Sequence, residues 1–145
     1  MVLSKYRDGR LSTVDTNDIL GVVAGTLGGG MLSGGLPTSI YGVDFATLFS
    51  FDVGGYTFGI PFFLVVGSVL YILYTNQMLD EAQDLVDINS VEGISFLGAF
   101  AGGLVAVIEP QFFVDYVSGV TGGPMYGAMA YTAFHAVANS VLATQ

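Results

Sequence analysis

Four stretches of the chain carry no Asp, Glu, Lys or Arg: Ile19 to Val43, Val53 to Leu79, Gly93 to Ile108 and Tyr116 to Gln145. A bilayer core about 30 Å thick asks for about 20 helical residues, and about 17 suffice. The first, second and fourth stretches exceed this; the third reaches it only if its helix runs on past Glu109 and Pro110. The pattern therefore predicts an all-α fold, a polytopic transmembrane helical bundle of four spans, placed at Ile19 to Leu36, Tyr56 to Tyr74, Gly93 to Phe113 and Pro124 to Ala143. Residues 1–145 form a single membrane domain on this reading, with 1–18 an inner N-terminal segment and 77–92 an acidic inner linker.

Local chemistry at the boundaries points the same way. Ser12 followed by Asp15, and Asn89 followed by Glu92, have the polar residue and the acid three positions on that satisfy exposed amides at a helix start. Pro37 ends the first helix, Pro61 sits in the first turns of the second, and Pro124 suits the first position of the fourth. Tyr56, Tyr71, Tyr74, Tyr116 and Tyr126 fall near the expected water boundaries, where an amphipathic ring is comfortable; packing inside the bundle is the plainer alternative for some of them. Between Gln77 and Asp87 apolar residues recur at helical spacing opposite acids, which reads either as a short surface helix or as a solvated extension of the second span. Phe45, Leu48, Phe49 and Phe51, flanked by Asp44 and Asp52, read as an interfacial loop or half-turned helix.

The composition sharpens the class. Only 10% of the 145 residues are charged and 52% are hydrophobic, with a mean hydropathy of +0.69, whereas soluble domains average about 25% charged. Without cysteine there are no disulfides, thiolate nucleophiles or Cys-bearing metal sites. Twelve acids against three bases give a net charge of −9, which excludes the basic stripes a nucleic-acid partner requires. The same Lys-poor, Asp-rich balance suits an exterior facing high salt, as in halophiles. Lys5, Arg7 and Arg10 all precede the first span, so both termini are expected on the inner side of an archaeal or viral membrane. A cleaved signal peptide fits less well, because Asp15 and Asp18 intrude before the apolar run.

The two halves show an ordered self-similarity. Leu20 to Gly25 is echoed by Leu97 to Gly102, Leu36-Pro37 by Glu109-Pro110, Gly54-Gly55 by Gly122-Gly123, and Ser68-Val69-Leu70 by Ser140-Val141-Leu142. A duplicated helical hairpin produces such an order, and so does chance in Gly/Ala/Val-rich sequence.

Small residues form ridges at four-residue spacing: Gly21, Gly25, Gly29 and Ser33; Gly98, Gly102 and Ala106; Ala128, Thr132, Ala136 and Ser140. In lipid, helices associate through close backbone approach, which such ridges allow. Glycine inside a helix costs up to about 1 kcal/mol relative to alanine, so each ridge asks for an offsetting contact. Three ridges exceed what one bundle seam uses, which points to a homo-oligomer or lateral lattice in the bilayer as well as packing within the chain. Candidate intramembrane polar sites are His135 and, nearer the outer interface, Glu109. His135 reads either as a packed histidine bonded to a neighbouring hydroxyl or carbonyl, or as a proton- or ion-path residue. No catalytic constellation, cofactor motif or metal-ligand spacing is present, so an enzyme is not expected.

In size, span number, acidity and short loops the chain resembles the small multi-span membrane proteins of haloarchaeal pleomorphic, vesicle-like viruses. That resemblance implies a structural envelope component with a separate spike or capsid partner, and it assigns no site residue. The glycine-rich first helix and hairpin repeat are also similar to rotary-ATPase proteolipids, but the carboxylate that family holds mid-membrane has no counterpart between Tyr56 and Tyr74. The function expected is thus a non-enzymatic structural membrane protein; a small ion or proton channel, holin-like pore or transporter subunit is the alternative.

Overall fold

Helix α1 (Thr16–Leu32) starts where Asp15 caps it: the Asp15 carboxylate accepts from the Asp18 amide at 2.9 Å and the Asp18 carboxylate accepts from the Asp15 amide at 3.1 Å. This reciprocal box satisfies two amides that a helix start leaves bare. The computed structural model describes residues 15–78 and 86–144. After α1 the chain forms two short antiparallel hairpins, β1 (Ser39–Ile40) with β2 (Val43–Asp44) and β3 (Phe51–Val53) with β4 (Tyr56–Phe58). Then follow α2 (Ile60–Thr75), α3 (Val91–Ile108), α4 (Pro110–Thr121) and α5 (Pro124–Ala143).

The architecture corrects the expected four-span bundle. Among the described residues only α3, with 18 residues, is long and apolar enough to cross a membrane. Helix α1 has 17 residues and contains Asp18, and it stops at Leu32 rather than reaching Leu36, because Ser33 caps it and Gly34 turns into the left-handed region at φ 77°. Residues 56–58, expected at the head of the second span, are a strand, leaving α2 with 16 residues and about 24 Å of length. The third expected span breaks at Glu109: proline at 110 can donate no hydrogen bond and pushes its predecessor out of helical geometry, and Glu109 has φ −129° and ψ 61°. Helix α5 keeps the expected bounds and is long enough, but Tyr131, Thr132, His135, Asn139 and Ser140 make it too polar to qualify.

The hairpins have their own cause. Each turns through two consecutive left-handed residues, Tyr41-Gly42 (φ 50° and 79°) and Gly54-Gly55 (φ 60° and 86°), a pairing that matches the twist of two-residue hairpins. Phe51 stacks on Phe58 at 5.3 Å, and Phe58 meets Phe62 of α2 edge-on at 4.8 Å, so the second hairpin is fastened to the helix it precedes. The segment Phe45 to Phe51, expected as an interfacial loop or half-turned helix, is a run of turns joining the two hairpins, with Phe51 opening β3. The expected surface helix between Gln77 and Asp87 falls largely outside the described residues, as do Ser12 and the three basic residues.

Helices α1 and α2 run antiparallel, tied by the Tyr71 hydroxyl donating to Asn17 Oδ1 at 2.8 Å and Asn76 Nδ2 donating to Asp18 Oδ1 at 2.7 Å. Helix α5 lies against α1, α2 and α3. An apolar core of Val69, Ile72, Leu73, Ala99, Ala138 and Leu142 fills the end of the bundle near the start of α1.

Candidate functional site

On α5 the residues Tyr131, His135 and Asn139 recur every fourth position and so share one face. That face turns inward: His135 and Asn139 are fully enclosed and Tyr131 nearly so. Opposite them stand the glycines of α1. A methyl group on Gly29 would meet the His135 ring at 3.0–3.2 Å, and one on Gly25 would overlap the Asn139 amide and lie 2.6 Å from Ser68 Oγ. One turn further along, Ser33 Oγ approaches the Ala128 carbonyl at 3.4 Å and Thr132 Oγ1 at 3.5 Å. The two helices therefore interlock antiparallel, glycine against polar side chain, with one step per turn.

From α2, Ser68 joins the seam. Its hydroxyl donates to the Val65 carbonyl at 2.8 Å and accepts from Asn139 Nδ2 at 3.3 Å. From α3, the Gly102 carbonyl accepts from the Tyr131 hydroxyl at 2.9 Å. The His135 ring sits edge-on to Tyr131 at 4.4 Å and to Phe134 at 5.5 Å. Among the described residues neither His135 nitrogen nor Asn139 Oδ1 has a hydrogen-bond partner. The hydroxyl or carbonyl expected to bond His135 is not supplied. Beyond Ser68 the seam meets fully enclosed Val69, Ile72 and Leu142, which separate it from the Asp18–Asn76 pair at the bundle end.

The other expected residues divide between the interior and the surface. Gly21 faces Ile72, Gly98 faces Phe134, and Ala106 is buried beside Tyr131 and near Leu32. Ala128, Thr132 and Ala136 line an open recess of about 370 Å³ with Thr26, Leu36 and Met129. Thr132 and Ser140 turn their hydroxyls onto the carbonyls of Ala128 and Ala136 at 2.8 and 2.7 Å. Glu109 is exposed at the end of α3 and is not part of the seam. Tyr131, Asn139 and Ser68 are the residues sequence reasoning passes over; the four-residue recurrence of Tyr131, His135 and Asn139 is the signal that could find the first two. No group of three or more metal-ligating side chains occurs among the described residues. Compared with known protein families, curated proteins and solved structures, the chain matches none.

Proposed function

We propose that the chain is a non-enzymatic structural protein of a membrane, held in lipid by α3 and by the apolar outer faces of its neighbours, and packing laterally with further copies. One observation carries this reading: outside the apolar core, large apolar side chains point out while the polar side chains of His135 and Asn139 are sealed in. Leu20, Val23 and Leu27 of α1, Ile94 of α3, and Met129 and Val137 of α5 are each more than two-fifths exposed, while His135 and Asn139 have no exposure at all. A water-facing fold places these groups the other way round. The acids support the same reading, since Asp15, Asp87 and Glu92 belong to one end of the bundle and Asp44, Asp52 and Glu109 to the other. Among the described residues α2 and α5 carry no Asp, Glu, Lys or Arg, α1 and α3 carry their acids in the first turn, and Asp115 is exposed on α4. Such acid-rich ends suit a saline aqueous phase, and the envelope of a haloarchaeal virus is a membrane of this kind. The recess at Ala128, Thr132 and Ala136 leaves a small-residue surface at which another helix can approach closely.

The layer of Val69, Ile72 and Leu142 across the seam favours scaffold over conduction. The test is fractionation followed by reconstitution. The chain should sediment with membranes and stay there through an alkaline carbonate wash, at high copy number, and liposomes containing it should hold an ion gradient. Recovery of folded monomer in detergent-free buffer overturns membrane residence, and ion flux abolished in His135→Ala overturns the structural role in favour of a channel.

A further inference from the structure

We propose that the β3–β4 hairpin is an interfacial anchor, laying one face on the boundary between lipid headgroups and acyl chains beside the head of α2. This role rests on the membrane residence proposed above and adds to it a surface and its partner. The strand register divides the hairpin into two faces. Phe51 pairs with Phe58 and Val53 with Tyr56 on one side, and Asp52 pairs with Thr57 on the other. The polar side is closed on itself, since the Thr57 hydroxyl donates to the Asp52 carboxylate. The apolar side is covered only at its inner end. Phe58 is 8% exposed, where its ring meets Phe62, whereas Phe51 is 46% and Val53 56% exposed. The first hairpin divides in the same way, Ile40 with Val43 against Ser39 with Asp44.

The cover and its depth follow from three constraints. First, the apolar face is continuous with the flank of the bundle: the Phe51 ring rests 5.4 Å from that of Phe63, an outward-facing residue of α2. The medium that covers Phe63 therefore reaches Phe51. Second, each strand pairs only with the other among the described residues, so both edges carry unpaired backbone groups. Hydrocarbon cannot satisfy such edges, and Asp52 needs water as well, so the hairpin stays out of the bilayer core. Third, the half-buried ring of Tyr56 lies on the apolar face and carries a hydroxyl, the combination that suits the headgroup level. Only the boundary offers acyl chains to one face and water to the edges and the other face.

The chain contains no tryptophan, so a single introduced indole reports alone. In full-length protein reconstituted into phosphatidylcholine vesicles, Tyr56→Trp and Val53→Trp should be quenched several-fold more strongly by lipids brominated close to the headgroup than by aqueous iodide. Thr57→Trp, on the opposite face, should show the reverse order. Phe100→Trp, at the middle of α3, reports on membrane residence by itself and should be quenched best by bromines near the acyl-chain ends. Iodide quenching of the two apolar-face reporters, with Phe100→Trp still quenched by lipid, overturns the anchor and leaves residence standing. Shielding of those two from both quenchers also overturns it, in favour of a protein cover such as a second copy. Loss of lipid quenching at Phe100→Trp as well removes residence and anchor together. Val53→Trp decides alone should Tyr56→Trp fail to fold.

Discussion

Replacing Gly25 by alanine sets two opposed effects against each other, and the geometry decides the sign. In an unobstructed helix the change is favourable by up to about 1 kcal/mol, since alanine loses less backbone freedom on folding. At Gly25, however, the new methyl overlaps the Asn139 amide and lies 2.6 Å from Ser68 Oγ, and Asn139 has no exposed route of escape. Forcing α1 and α5 apart costs about 1–3 kcal/mol as overpacking. Displacing Asn139 also breaks its bond to Ser68, leaving buried polar groups unpaired at about 1–3 kcal/mol. The net expectation is a loss of about 1–5 kcal/mol. Chemical unfolding in detergent micelles, followed by helical circular dichroism, measures it, with Gly67→Ala as the unobstructed comparison, expected neutral to slightly stabilising. The decisive readout is the double-mutant cycle with Asn139→Ala, which makes room for the methyl and should recover more than about 1 kcal/mol of coupling. If Gly25→Ala proves as stable as Gly67→Ala, or the two changes simply add, the interlocking of α1 with α5 is refuted.

Two further substitutions probe other parts of the frame. Gly59→Ala drives a methyl into the backbone carbonyl of Ala46, where no side chain can give way, and should cost about 1–3 kcal/mol in the same unfolding assay; an unchanged midpoint means that the hairpins do not seat on the start of α2. Asp18→Ala removes half of the α1 capping box and the bond to Asn76, for an expected loss of about 1–2 kcal/mol. Retention of full stability there would show that this end of the bundle rests on the Val69–Leu142 core alone.

The gap between pattern and fold has a specific origin at residues 56–58, expected as helix and found as the second strand of a hairpin. Freedom from charge marks a lipid-crossing helix, yet a hairpin built from Ile, Val, Phe, Tyr and Thr is almost as poor in charge. The turn chemistry was visible: Gly54-Gly55, between Phe51–Val53 and Tyr56–Phe58, is the two-residue spacing of a tight hairpin. Pro110 likewise marks the end of α3, since its missing donor and its constraint on Glu109 both stop a helix there. Where the breaker stood at a start instead, at Pro124, the expected and observed bounds of α5 coincide.

The seam was legible from one side only. Glycines every fourth residue along α1 announced a close approach but not its occupant, because small-residue spacing carries no information about the opposing surface. The occupant came from a separate pattern, the polar side chains at the same period on α5. Joining them requires knowing that α1 and α5 run antiparallel, so that Gly25 pairs with Asn139 and Gly29 with His135. Once they are joined, the glycines and the buried polar groups explain each other. Removing a Cβ from α1 lets a histidine and an asparagine sit in the interior without spreading the helices, and the Asn139–Ser68 bond ties α5 to α2. Hydrogen bonds of that kind hold helices together where lipid removes the hydrophobic gain from burial. In water the same arrangement forfeits the favourable solvation of its polar groups while exposing Val23, Leu27 and Val137. If the proposed membrane residence holds, the polar seam and the apolar exterior share one cause, lipid as the solvent.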